Sequence, residues 1–308
     1  MKVYHSVDEY ATANAAPCVA TVGTFDGFHR GHASIFERLA AHAEAAGLPA
    51  AAITFHPHPR VVVTPDDPPL LLTTPEEKTD ILREHFDGSL VFMKFDDQLR
   101  RMTADQFIDD ILLDRFHIKA LVVGYNHSFG HQRSGTADQL ADLGKKAGFE
   151  VEVVTPVTYQ DMPISSSRIR RVIKGGEWED ALQMLGHAYP IRGRVVKGIG
   201  QGRGLGWPTL NLVWSERKLL PPAGVYACSA LADGVEYRGM MFIGVNMLNP
   251  QNVISVEAHL FDFDRDLYGA DVILYPSHFI RPNIRFGSPE ELSRQIAHDK
   301  ETVLKLIL

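Results

Sequence analysis

What most limits the folds open to this chain is a change of hydrophobic rhythm near its middle. In the first half, short apolar runs alternate with segments of helical period: PCVATVGTF and GHASIFERLAAHAEAAG; LPAAAITF; SLVFMKF and ADQFIDDILLDRF; KALVVG and ADQLADLGKKAG; then FEVEVVTPV. Strands alternating with helices predict a parallel sheet covered by helices. Thr74-Pro75-Glu76-Glu77 and Thr103-Ala104-Asp105-Gln106 each put a hydroxyl three residues before Glu or Gln, which marks a helix start. After ISSSRIRRVIKGGEWEDALQMLG the pattern shifts to GRVVKG, GVYACSAL, YRGMMFIGV, ISVEAHLFDF and DVILYPSHF, alternating apolar and polar residues between glycine-rich turns. That predicts a small antiparallel barrel. Ser288-Pro289-Glu290-Glu291 opens a last helix with Leu292, Ile296, Val303 and Ile307 on one stripe. The expected division is an α/β domain over 1–186 and a barrel over 187–308.

The 308 residues, 45% apolar and 22% charged, suffice for two folded domains. A net charge of −7 excludes a broad nucleic-acid footprint and leaves small anions to local sites. Cys18 and Cys228 form no C-x-x-C pair, so neither a disulfide framework nor a thiolate zinc site is expected, and a reducing cytoplasm fits. No apolar run approaches the roughly 18 residues of a membrane span, and MKVYHSVDEY lacks a secretory layout. The expectation is a cytoplasmic protein with no membrane partner, monomeric or weakly homo-oligomeric.

Thr24-Phe25-Asp26-Gly27-Phe28-His29-Arg30-Gly31-His32 joins the first long strand to its helix, at the sheet edge where α/β folds place ligands. Gly31 lets a ligand approach the backbone, and the free N–H groups of the helix start suit a triphosphate. His29 and His32 can donate to phosphate oxygens as charge develops. The same histidines could instead be solvated, or form a metal set with His56 and His58 of Phe55-His56-Pro57-His58-Pro59 and support a metallophosphoesterase. Ser165-Ser166-Ser167-Arg168-Ile169-Arg170 opens another helix, either as a phosphate clamp or as an ordinary serine cap with solvated arginines.

In the second half, Gly198, Gly200, Gly202, Gly204 and Gly206 free a loop to wrap amides around phosphates, although a flexible hairpin reads the same way. Thr209 and Asn211 lie two residues apart, so on an extended segment they share a face, and both offer oxygen to Mg²⁺. In Val256-Glu257-Ala258-His259-Leu260 the two polar residues share the face opposite the apolar three. Glu257 is either a surface carboxylate or a general base.

His29-x-Gly31-His32 with Ser165-Ser166-Ser167-x-Ile169-Arg170 resembles the paired signatures of the nucleotidyltransferase superfamily. Gly23-Thr24-Phe25-Asp26-Gly27, Phe55-x-Pro57-His58-Pro59, Leu72-Thr73-Thr74-Pro75-Glu76-Glu77-Lys78 and Val123-Gly124-Tyr125-Asn126 resemble its FMN adenylyltransferase branch. By that resemblance the sheet domain is an HxGH nucleotidyltransferase fold. His29, His32 and Arg170 serve the chemistry; Gly23, Thr24, Phe25, Asp26, Gly31, Ser165, Ser166 and Ser167 border ATP; Pro57, His58, Asn126 and Phe129 border the flavin.

Gly202-Arg203-x-Leu205-Gly206-Trp207-Pro208-Thr209-x-Asn211, Pro222-x-Gly224-Val225-Tyr226-Ala227, Val256-Glu257-x-His259-Leu260 and Asp266-Leu267-Tyr268-Gly269 resemble the riboflavin kinase family. That likeness implies that Gly198, Gly200, Gly202, Arg203 and Gly206 border a second ATP. It makes Thr209 and Asn211 ligands of Mg²⁺, Glu257 the base, and Arg281 a neighbour of the flavin. The implied substrates are riboflavin, FMN and ATP, with FMN and FAD as products. His127, Asn246-Met247-Leu248-Asn249-Pro250 and Asn283 depart from the family pattern, and the 246–250 departure motivates an alternative in which the barrel binds flavin without kinase activity.

Overall fold

The apolar runs of the first half become strands whose alternate residues feed two cores, one on each face of a parallel sheet. Cys18, Ala20 and Val22 join Ala51, Ile53, Leu121 and Val123 in one cluster, while Val19 joins Ala50, Ala52, Ala120 and Val122 in the other. A sheet covered on both faces hides every side chain of its central strand, and all five residues of Cys18–Val22 are buried. The computed structural model describes residues 1–126, 128–129, 135–198, 201–204, 206–245 and 254–307. The chain divides into two units, Met1–Ser166 and Ser167–Leu308.

The first unit contains β1 (Lys2–Tyr4), β2 (Cys18–Val22), β3 (Ala50–His56), β4 (Ser89–Lys94), β5 (Ile118–Gly124), β6 (Ser128–Phe129), β7 (Gly135–Thr136), β8 (Glu150–Val154), β9 (Thr158–Tyr159) and β10 (Met162–Pro163). Six of these form the parallel sheet in the order β1-β4-β3-β2-β5-β8; β6 with β7 and β9 with β10 make short antiparallel pairs. Both expected capping boxes are complete, at Thr74 with Glu77 and at Thr103 with Gln106. The helix begun at Thr103 widens at Phe107–Leu113 into a π-helix, which turns Phe107, Ile108 and Leu112 into the core. The sequence pattern marks neither that widening nor the first strand and helix, Lys2–Tyr4 and Val7–Ala13.

The second unit is a closed barrel of β11 (Ile191–Val196), β12 (Leu210–Trp214), β13 (Gly224–Ala232), β14 (Val235–Val245), β15 (Ile254–Leu260) and β16 (Asp271–Arg281), ordered β11-β12-β15-β14-β13-β16 with every neighbouring pair antiparallel. Helices Ser166–Gly175 and Trp178–Leu185 precede it and Pro289–Ile307 follows. Trp178 is fully buried, edge-on to Tyr189 and Tyr226, and its Nε1–H donates to the Ser277 carbonyl, so the Trp178 helix packs with the barrel. At the last helix only half of the expected capping box forms: Ser288 Oγ accepts from the Glu291 N–H, but the Glu291 carboxylate reaches the Gly287 N–H instead of that of Ser288.

Candidate active sites

In the sheet, the chain proceeds from β2 outward to β3 and β4 on one side, and to β5 and β8 on the other. Where strand order reverses, the loops leaving the carboxyl ends diverge and leave a crevice. The histidine turn follows β2, Tyr125 and Asn126 follow β5, and Pro57 and His58 follow β3. Segments assigned to ATP and flavin thus leave three adjacent strands at one edge.

The turn after β2 is strained. Phe25 and Phe28 adopt φ of 44° and 36°, a left-handed region that costs a bulky residue about 1–3 kcal/mol, beside Gly27 at 82°. Packing supplies the restraint: both rings are buried and lie edge-on to Phe36, with centroids 5.0 and 5.1 Å away. Gly23 cannot carry a side chain, since a Cβ there would fall 2.7 Å from the Phe25 ring. Polar bonds complete the hold. Asp26, 1% exposed, accepts the N–H groups of Leu72 and Thr73 at 3.3 and 2.9 Å, and the Gly27 N–H donates to Thr73 Oγ1 at 3.0 Å. Ser166 Oγ donates to the Asp26 carbonyl at 2.8 Å. The Asp26 carboxylate, assigned to ATP by resemblance, therefore points inward and fixes the neighbouring loop.

His29 caps the helix Arg30–Ala46, its Nδ1 accepting the His32 N–H at 3.3 Å. An accepting Nδ1 places the ring hydrogen on Nε2, leaving that atom as a donor. The His32 ring stacks on His29, with centroids 3.7 Å apart and planes 16° from parallel. Burial first, then the nearby His29 and Lys78, push the His32 pKa well below the ordinary imidazole value, so the ring is neutral. His32 Nδ1 is buried and has no hydrogen-bond partner among the described residues. A Cβ on Gly31 would sit 3.1 Å from His29 Cε1, so this glycine leaves room for the cap. Two neutral imidazoles at a helix N-terminus can donate to an anion.

His58 likewise uses Nδ1 to cap a helix, accepting the Arg60 N–H at 3.2 Å, while His56 is exposed. Among the described residues no three histidine, cysteine or carboxylate side chains gather to hold a metal ion. Ser165 and Ser166 are half-buried and Ser167 exposed at the start of helix Ser166–Gly175, which also carries the half-buried Arg170; Asn126 is exposed. Phe129 lies on β6, but its side chain, His127 and Gly130 fall outside the described residues.

In the barrel, Asn211 of β12 lies directly opposite Glu257 of β15. Opposed residues of antiparallel strands share a face with Cβ atoms about 5 Å apart. Val256, Ala258 and Leu260 are buried while Glu257 and His259 are half-buried, the expected alternation. Ser255 Oγ lies 3.0 Å from Glu257 Oε1 and orients that carboxylate. His259 Nδ1 donates to the Pro208 carbonyl at 2.8 Å, its ring is edge-on to Trp207, and burial lowers its pKa. His259 thus anchors the segment leading into half-buried Thr209.

The glycine loop lies against these groups. A Cβ on Gly198 would fall 2.4 Å from Asn211 Nδ2, and one on Gly202 2.3 Å from the Trp207 carbonyl oxygen, while the Trp207 N–H donates to Gly202. Gly206 follows with φ of 81°. Gly200, the side chain of Arg203 and the stretch 246–250 fall outside the described residues. Arg281 places Nε and Nη2 on the Asp299 carboxylate at 2.9 and 2.7 Å, and Nη1 on the Pro282 carbonyl. Its fork fastens the last helix to β16. Asn283 Nδ2 donates to the Val245 carbonyl. Residue patterns single out neither Ser255 nor Asp299, because an isolated serine and a helical aspartate read as solvated.

The FAD synthetase family model matches residues 11–168, and the riboflavin kinase family model matches residues 185–307. A bifunctional riboflavin kinase/FMN adenylyltransferase of Listeria monocytogenes is 33% identical over 300 residues, spanning 96% of this chain and 93% of its own. The protein of that name from Pseudomonas fluorescens is 35% identical over 283 residues, spanning 92% and 90%. The crystal structure of a Streptococcus pneumoniae protein named as a macrolide-efflux protein matches at 30% identity and a TM-score of 0.86, covering 98% of this chain and 97% of that one. No helix among the described residues is long and apolar enough to cross a membrane.

Proposed function

The chain belongs to the bifunctional riboflavin kinase/FMN adenylyltransferase family, and from that premise we infer that it phosphorylates riboflavin to FMN and adenylylates FMN to FAD, with ATP as donor in both steps. The observation that carries this reading is the succession of two family matches, each over a segment with its own polar site. The functional division falls at 186/187, with the adenylyltransferase over 1–186 and the kinase over 187–308.

In adenylyl transfer, an FMN phosphate oxygen attacks the α-phosphorus of ATP, the bond to the bridging oxygen breaks, and pyrophosphate leaves; positioning and charge stabilisation supply the catalysis. His29 Nε2–H and the helix N-terminus donate to the phosphates, with His32 beside them, and Ser165, Ser166, Ser167 and Arg170 are assigned to the same ATP. Pro57, His58, Asn126 and Phe129 are assigned to the flavin.

In the kinase reaction, Glu257 takes the proton of the riboflavin hydroxyl as that oxygen attacks the γ-phosphorus and ADP leaves. The Thr209 hydroxyl and Asn211 carbonyl fit Mg²⁺, being oxygen donors beside the glycine loop. The ion, when bound, supplies charge neutralisation at the phosphates. Gly198, Gly200, Gly202, Arg203 and Gly206 are assigned to ATP, and Arg281 shapes the flavin side through Asp299 rather than by its own fork.

The test is incubation with riboflavin, ATP and Mg²⁺ and chromatographic separation of the flavins over time. FMN appears first and FAD follows; FMN without FAD, or no conversion, overturns the reading.

A further inference from the structure

Lys78 is a cation where a cation is expensive. It is 6% exposed, and its Nζ donates to the Thr24 carbonyl at 2.5 Å and to Thr54 Oγ1 at 3.0 Å, directly behind the histidine turn. Neither acceptor needs it, because Thr54 Oγ1 also donates to the Thr24 carbonyl at 3.1 Å. The titratable groups facing Lys78 are Asp26, from the turn after β2, and the neutral His32, from the helix Arg30–Ala46. Glu77, beside it on its own helix, is turned to the Thr74 N–H. Burial lowers the ammonium pKa to about 8, Asp26 opposing the shift, so at neutral pH the charge is held at a cost to folding. A costly buried charge that hydrogen-bond satisfaction does not require points to function.

We propose that Lys78 is a positioning residue for adenylyl transfer: its ammonium fixes the Thr24 carbonyl at the root of the strained turn that leads to His29 and His32. This rests on the function proposed above. A methionine fills much of the same space and leaves Thr54 bonded to Thr24, so Lys78→Met folds with a melting temperature no lower than wild type at pH 7. Its conversion of supplied FMN to FAD falls roughly 10- to 100-fold in kcat, the scale of a lost charged hydrogen bond. The wild-type rate declines above about pH 8 as Lys78 loses its proton; that alkaline limb is missing in Lys78→Met and moves to higher pH in Lys78→Arg.

A second readout needs no substrate. Lys78 opposes protonation of His32, so the His32 ring resonance, assigned with His32→Gln and followed by NMR, titrates at higher pH in Lys78→Met. A wild type that makes no FAD sinks the assigned activity and leaves this titration to judge the coupling. An unchanged His32 titration, FAD synthesis within about twofold of wild type, or a loss of activity matched by a lower melting temperature each overturns the role of Lys78.

Discussion

Replacing Glu257 by Gln isolates one atom's worth of chemistry in the barrel. Ser255 Oγ lies 3.0 Å from Oε1, and a glutamine oxygen accepts that bond equally well, so the side chain stays oriented. Register does not change, since Glu257 pairs with Asn211 on one side and Phe242 on the other through backbone alone. The replacement removes the capacity to accept a proton. Loss of a general base costs about 10²- to 10⁴-fold in rate. At about 1.4 kcal/mol per decade this is roughly 3–5 kcal/mol of barrier, with little change in stability. The assay follows riboflavin to FMN with ATP and Mg²⁺, and, in parallel, supplied FMN to FAD. The first reaction collapses while the second keeps its wild-type rate. Near wild-type phosphorylation would refute the assignment and pass the role to His259 on the same face, whose Nε2 is the accepting nitrogen while Nδ1–H donates to Pro208, or to one of Asp262, Asp264 or Asp266.

Three further outcomes follow. His32→Ala or Arg170→Ala lowers FAD formation by roughly 10²-fold and spares riboflavin phosphorylation, which chromatography with each flavin supplied separately will read. Trp178→Ala costs the barrel about 3–5 kcal/mol, since the ring is fully buried between Tyr189 and Tyr226; a fragment over 167–308 therefore melts above one over 187–308, and equal melting temperatures would count against this packing. Lys78 makes stability rise with pH. The unfolded lysine holds its proton to about 10.5 and the folded one to about 8, so between these values the unfolded state binds more protons, and the wild type gains up to about 3 kcal/mol over that window relative to Lys78→Met in denaturant titrations.

The two folds are legible in the sequence because hydrophobic period reports burial, and burial decides whether a strand is covered on one face or two. Cys18–Val22 reads as a continuous apolar run and is buried throughout; Ile254–Leu260 alternates and is buried on one side. The position of the histidine turn is legible for the same reason, since a strand followed by a helix fixes which end of the sheet the loop occupies. The inward hydrogen bonds are not. Lys78 on a helix beginning Pro-Glu-Glu carries no local mark of burial, because its surroundings come from Thr24 and Thr54, distant in sequence. The π turn at Phe107–Leu113 is equally hidden, since its cause is the sheet surface it packs on.

Asp26 and Arg281 show what a motif residue does for the protein around it. Both stand in stretches whose likeness to known families places them beside substrate, and both carry charges that an anionic nucleotide or a flavin could meet. Asp26 spends its carboxylate on the Leu72 and Thr73 amides, and Arg281 spends its guanidinium on Asp299, whose side chain is 3% exposed. Buried charge pairs add little net stability compared with apolar packing, but removing one partner leaves the other uncompensated. Such groups therefore fit the role of fixing geometry better than that of holding a fold together. The Asp26 bonds hold a turn that Phe25 and Phe28 enter only under strain, and the Arg281 pair holds the end of β16 against the last helix. In each unit a charge set behind the proposed site holds a loop or strand end still. The arrangement follows from solvation: a charge that must keep one geometry through a catalytic cycle is steadier on fixed protein donors than on a substrate that comes and goes.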